Sequence, residues 1–146
     1  MPSIKSILVP LDFGQTSSTA TELAIELAQA FDAELILLHV CELPVYPYME
    51  FMLSTNDLVS TIERGAAQRL EEAKQLLQAR VPRARSVLRM GVPWQEIIAA
   101  IEELKPDLVV MGTHGRKGVV HAVLGSVAEK IVRLSSVPVL TAHARG

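Results

Sequence analysis

Cysteine is almost missing from these 146 residues: Cys41 stands alone, so no disulfide can close within the chain, and a reducing compartment is expected. Basic excess is missing too. The formal net charge is -2, which leaves no electrostatic footprint for nucleic acid or an acidic lipid surface. No apolar stretch approaches the ~20 residues of a membrane span. The start, Met1-Pro2-Ser3-Ile4-Lys5-Ser6, lacks the long apolar core of a signal peptide. A soluble cytoplasmic protein with neither nucleic acid nor membrane as partner is expected. The four histidines and Cys41 show no zinc-ligand spacing. Two phosphate motifs are absent: there is no G-x4-G-K-[ST], since Gly118 follows Lys117, and no G-x-G-x-x-G follows the first apolar run.

What is present is a globular composition, 49% apolar and 21% charged, in a length that suits one domain over residues 1–146. Ile7-Leu8-Val9 is a continuous apolar run stopped by Pro10, as in a strand buried on both faces, and Asp12 follows at its C-terminal end. Thr16 to Phe31 carries a helical stripe, Ala20, Leu23, Ala24, Leu27, Ala28 and Phe31, with Thr19 and Glu22 in capping-box relation. Glu34 to Val40 is a second buried strand. Cys41 to Asp57 reads as irregular.

A helix from Leu58 to Ala79 follows, with Ile62, Ala66, Ala73, Leu76 and Leu77 inward. Arg85 to Met90 is a shorter, charge-flanked strand suited to a sheet edge. Pro93 opens the next helix, whose buried face is Trp94, Ile97, Ile98, Ile101 and Leu104, and Lys105-Pro106 ends it. Asp107 to Met111 is the fourth strand. A helix starts at Ser126, with Val127, Ile131, Val132 and Leu134 apolar, and Val137 to Leu140 is a fifth strand that its internal Pro138 confines to an edge. Apolar strands alternating with helices predict an α/β fold: an open, doubly wound, five-stranded parallel sheet with helices on both faces.

The stretch that organises the chain is Val109 to Gly118, continued by Leu124 to Glu129. It reads G-x2-G-x9-G-S from Gly112 through Gly115 to Gly125-Ser126. Gly112 ends a strand where a Cβ would keep a ligand off the backbone. Gly115 and Gly118 are free to take positive φ, so that successive N–H groups converge on an anion. Gly125-Ser126 offers the unpaired N–H groups of a helix start, with a dipole equivalent to roughly half a positive charge. Two readings stay open for Ser126: a hydroxyl donor to the anion, or the first member of a capping box with Glu129. Likewise His114 either touches phosphate or is solvated. Arg116-Lys117 either steers a polyphosphate or is a solvated pair.

These segments resemble the universal stress protein family: Ile7-Leu8-Val9-Pro10-Leu11-Asp12, Leu37-Leu38-His39-Val40, Asp107 to Gly115, Leu124 to Glu129 and Val137 to Leu140. The resemblance covers essentially the whole chain, and the complete G-x2-G-x9-G-S is similar to the signature of that family's ATP-binding branch. It implies the strand order 3-2-1-4-5 and a homodimer paired through the last strand, Val137-Leu140. It implies ATP as ligand, with Mg2+ or Mn2+ as a candidate companion; Asp12 is the candidate carboxylate toward it, a polar residue capping a turn being its other reading. By the same resemblance Pro10 lines the pocket, Asp12 lies near ribose or phosphates, and Val40 holds the adenine edge through its backbone. Gly112, Thr113, His114, Gly115, Arg116, Lys117, Gly118, Gly125, Ser126 and Val127 surround ribose and phosphates.

A nucleotide-dependent regulatory protein of the stress response is therefore expected. The alternative is a slow ATPase or nucleotidyl-transfer enzyme in the same pocket; Asp12 and Arg116 can be nominated for metal and charge, but no base stands out. Elsewhere, His39 reads as a satisfied strand-end histidine, His121 and His143 as surface residues, and Cys41 as buried and inert. Tyr46, Tyr48, Met49, Phe51 and Met52 read as packing over the sheet or a dimer interface, with an unidentified protein partner as the other reading.

Overall fold

The computed structural model describes residues 3–42, 57–113 and 124–143. The strands are β1 (Ser6–Pro10), β2 (Glu34–Cys41), β3 (Ala84–Met90), β4 (Leu108–Gly112) and β5 (Val139–Ala142). The helices are α1 (Gln15–Phe31), α2 (Asp57–Gln78), α3 (Pro93–Leu104) and α4 (Ser126–Leu134). All strand pairs are parallel, and the five strands lie in the order β3-β2-β1-β4-β5. Register is set around the centre by Leu8 opposite both Ile36 on β2 and Val109 on β4.

The continuous apolar runs follow from this architecture, because successive side chains feed two different cores. Ile7, Val9, Leu35, Leu37 and Val110 pack against α1 and α2 through Ala20, Ala24, Ala28, Leu70 and Leu77. Leu8, Ile36, Leu38, Val109 and Met111 face the other way, onto Ile97, Ala100 and Ile101 of α3 and Ala128 and Ile131 of α4. Each fully buried Leu or Ile of this set contributes about 1.5–3 kcal/mol relative to exposure. A fully parallel sheet with both faces covered is the result.

Several local expectations need correction. Pro10 does not stop β1 but completes it, paired with Leu38. It is tolerated there because the pairing of β1 with β4 has already ended at Leu8–Val109, so no ladder donor is required. The helix α1 starts at Gln15 after the N-cap Gly14, which places Thr19 inside it and removes the Thr19–Glu22 box. Phe31 is 51% exposed, since α1 ends at that residue and the chain reverses through left-handed Asp32 at φ 54°. Leu76 is 77% exposed because the inward face of α2 runs through Leu70, Ala73 and Leu77. The last strand lies two residues later than expected, so Pro138 precedes it and its carbonyl accepts the Val109 N–H at 2.9 Å. Both β3 and β5 lie at the sheet's edges, as their sequences suggest.

Among the described residues, no helix is long and apolar enough to cross a membrane.

Candidate functional site

From β1 the chain winds outward through β2 to β3, then returns to β4 on the other side of β1 and winds outward to β5. The β1–β4 boundary is thus the point where winding reverses, and the loops leaving the two strands part company there. At the C-terminal ends of these strands lies a cavity of about 720 Å³, within the range of small-molecule sites. It reaches both helical layers: α2 walls one side, and the starts of α3 and α4 wall the other.

One part of it is apolar. Val40 follows Leu38 on the strand face turned to α3 and α4, and with Pro93, Ile97, Met111, Val127 and Ala128 it makes a slot without charge. Such a slot suits a flat, weakly polar ring system, with strand-end backbone groups available at its rim.

The neighbouring part is built from backbone. Gly112 is the last residue of β4, and Thr113, fully buried, continues the ladder by donating its N–H to Ala142 at 3.0 Å. The Thr113 carbonyl accepts the N–H of Gly125 at 2.6 Å, so the strand end and the helix start are fastened together. Gly125 is the N-cap of α4, in extended conformation and without any side-chain cap. Ser126 is consequently the first helical residue. This corrects the capping-box reading: three residues past the cap stands Ala128, and the Glu129 N–H bonds the Gly125 carbonyl at 2.9 Å. No cap side chain competes for the first-turn amides of α4, the positive end of its dipole.

Asp12 lies at the end of β1, where its Oδ1 accepts the Gly14 N–H at 2.8 Å and its own N–H donates to Ser17 Oγ at 3.2 Å. The turn is sharp enough to hold Phe13 at φ 65°, a conformation uncommon for a bulky aromatic residue. That strain, of order 1–3 kcal/mol, is characteristic of functional sites. The Phe13 ring meets the edge of His39 at 4.9 Å between centroids, and the Arg69 guanidinium carbon lies 4.1 Å over its centre. His39 Nδ1 lies 2.7 Å from the Leu11 carbonyl, which only accepts, so the proton sits on Nδ1. Buried and hydrogen-bonded, His39 matches its expectation; Cys41 is buried and His143 exposed, also as expected.

Of the residues singled out in the sequence, Pro10, Asp12, Val40, Gly112, Thr113, Gly125, Ser126 and Val127 line this one cavity. His114, Gly115, Arg116, Lys117 and Gly118 lie outside the described residues, as do His121 and the aromatic segment Tyr46 to Met52. Sequence reasoning missed the α2 wall, where Thr61, Gly65 and Arg69 stand four residues apart with Ile62 and Ala66 beside them. The signal was Gly65, a glycine in a helix interior, which lowers helix stability by roughly 0.5–1 kcal/mol relative to alanine.

Two carboxylates, Asp12 and Glu42, are among the described residues lining the cavity, and no group of three or more potential metal-ligating side chains occurs among the described residues. That donor set fits a Mg2+-like ion carried on phosphates, which takes one or two carboxylates and keeps its waters, and does not fit an all-protein cage.

Comparison with known proteins bears on the family and the fold. The model of the "Universal stress protein family" matches residues 3–143. A curated relative, Universal stress protein A homolog 1 of Coxiella burnetii, is 35% identical over 138 residues, covering 93% of this chain and 94% of that protein. Among solved structures, an Arabidopsis thaliana universal stress protein family protein with AMP bound aligns with TM-score 0.71 at 17% identity, over 97% of this chain and 93% of that one. A universal stress protein in complex with cAMP aligns with TM-score 0.68 at 23% identity, over 99% of this chain and all of that one (100%). At such identities these two structures bear on the fold.

Proposed function

The chain belongs to the universal stress protein family, and from that premise we propose that it is an ATP-binding member, a single nucleotide-binding domain acting as a cytoplasmic regulatory dimer in the stress response. The observation that carries this reading is the fastening of Gly125 to Thr113 beneath a helix start with no side-chain cap, next to an uncharged slot. Adenine enters the slot, its edge on the backbone of Val40. Asp12 meets the ribose or the phosphates, and the phosphates rest on the amides from Gly125 to Val127 with the Ser126 hydroxyl as a further donor. Gly112, Thr113, His114, Gly115, Arg116, Lys117 and Gly118 complete the cradle, in keeping with the G-x2-G-x9-G-S spacing. When Mg2+ or Mn2+ accompanies the phosphates, Asp12 is the carboxylate positioned toward it.

Related folds lend support, since AMP and cAMP are bound by the two solved relatives described above. The dimer forms through the edge strand β5 and its approach, Val137 to Leu140. Leu140 is 38% exposed there, with Val132 and Leu134 of α4 also exposed.

Thermal unfolding with ATP and Mg2+, against AMP as control, tests the reading. Ligand at ~100 times its dissociation constant stabilises the fold by roughly 2.7 kcal/mol. A shift with ATP and little with AMP places the binding energy on the phosphates. No shift, in protein free of co-purified nucleotide, removes the proposal.

A further inference from the structure

Most arginines among the described residues sit against carboxylates. Arg80 pairs with Glu22, Arg83 with Asp32, Arg85 with Glu34, Arg89 with Glu96 and Glu103, and Arg133 with Glu129. Arg69 is placed differently: the contact the structure gives it is the face of Phe13, at 4.1 Å. Among the described residues that line the cavity it is also the one lysine or arginine, facing a wall set that otherwise carries Asp12 and Glu42. A guanidinium held over a ring by a cation–π contact, with no carboxylate partner among the described residues, keeps N–H donors for another acceptor, in the fork geometry that matches a phosphate.

The platform under Arg69 is fixed. Phe13 is held at φ 65° and abuts His39, and the imidazole is anchored by its hydrogen bond to the Leu11 carbonyl. Space in front of the arginine is also provided. One turn earlier on the same face of α2, a Cβ added to Gly65 would meet no atom of the described residues within 4 Å. A pinned cation, room beside it, and a position across the cavity from the start of α4 form a second recognition wall.

Resting on the nucleotide-binding reading above, we propose that Arg69 is a specificity-determining residue that reads the negative charge of the bound nucleotide's phosphate chain from the α2 side. The base lies on the α3–α4 side and the phosphate chain rests on the start of α4, while Arg69 faces that chain from α2 and sets how strongly each added phosphate is favoured.

The test is calorimetric titration of the full chain with ATP, ADP, AMP and adenosine, for the unaltered protein, Arg69→Ala and Arg69→Lys. The expected result is a roughly tenfold or greater weakening of ATP by Arg69→Ala, the loss of a charge-assisted hydrogen bond, with adenosine unchanged. Lys restores only part, because the ammonium neither stacks nor forks. If Arg69→Ala lowers the melting temperature, Arg69→Gln, which keeps most of the stem, carries the same comparison. An ATP-to-adenosine affinity ratio unaltered by these variants overturns the assignment while nucleotide binding stands. Failure of the unaltered chain to bind any of the four overturns both.

Discussion

The N–H of Gly125 donates to the carbonyl of Thr113 at 2.6 Å, joining the end of β4 to the start of α4 across eleven intervening residues. The bond uses the N-cap amide itself, so the amides that follow keep their outward donors. It also sets the separation of the two backbone stretches between which a phosphate group is proposed to lie.

Gly115→Val inserts a β-branched side chain into the proposed cradle. ATP binding is expected to be lost, with the melting temperature of the unliganded protein unchanged. Titration calorimetry beside thermal unfolding checks both halves, and unaltered affinity counts directly against the glycine stretch as the phosphate site.

Ser126→Ala separates helix capping from ligand contact. Losing a true N-cap side chain costs about 1 kcal/mol. Here the cap is Gly125, so a change within about 0.5 kcal/mol is expected in urea unfolding. Affinity for ATP is expected to fall by roughly tenfold, since a hydroxyl bonded to a charged group contributes about 1.5–3 kcal/mol. A stability loss without an affinity loss would return Ser126 to the capping role.

Gly65→Ala is expected to stabilise the free protein by about 0.5–1 kcal/mol, because among the described residues the new methyl meets nothing within 4 Å and helix propensity improves. The urea midpoint reads this directly. Destabilisation would mean that the glycine is required by the fold itself.

Leu140→Lys places a charge on the exposed edge strand β5. Sedimentation is expected to report a dimer for the unaltered chain and a monomer for the variant, as a desolvated lysine opposes strand-to-strand contact. An unaltered chain that stays monomeric at high concentration dismisses the edge as an interface.

The sheet was readable because burial on both faces turns each strand into an apolar run, as in Ile7-Leu8-Val9 and Leu35-Ile36-Leu37-Leu38. Helix starts were readable to within a residue, as at Pro93 and Ser126, but their caps were not. The caps of α1 and α4 are Gly14 and Gly125, which contribute no side-chain bond, so hydroxyl–glutamate pairs nearby pointed to the wrong residues. Pro138 marked an edge correctly yet misplaced the strand, because the carbonyl of a proline still serves a ladder that its nitrogen cannot. At the cavity, the glycine spacing carried the α4 side in plain view. The α2 side was hidden: Thr61, Gly65 and Arg69 belong to no motif and lie off the inward positions expected for that helix, and only the structure shows Phe13, turned into a conformation its own bulk disfavours, bringing an aromatic ring under the arginine.

The cavity opens where both helical layers reach the same rim of the sheet. α1 and α2 grip the sheet from one side and α3 and α4 from the other, each layer through its own core. An occupant proposed for that rim bears on α2 and α4 at once, tying together two layers that otherwise meet only through the sheet between them.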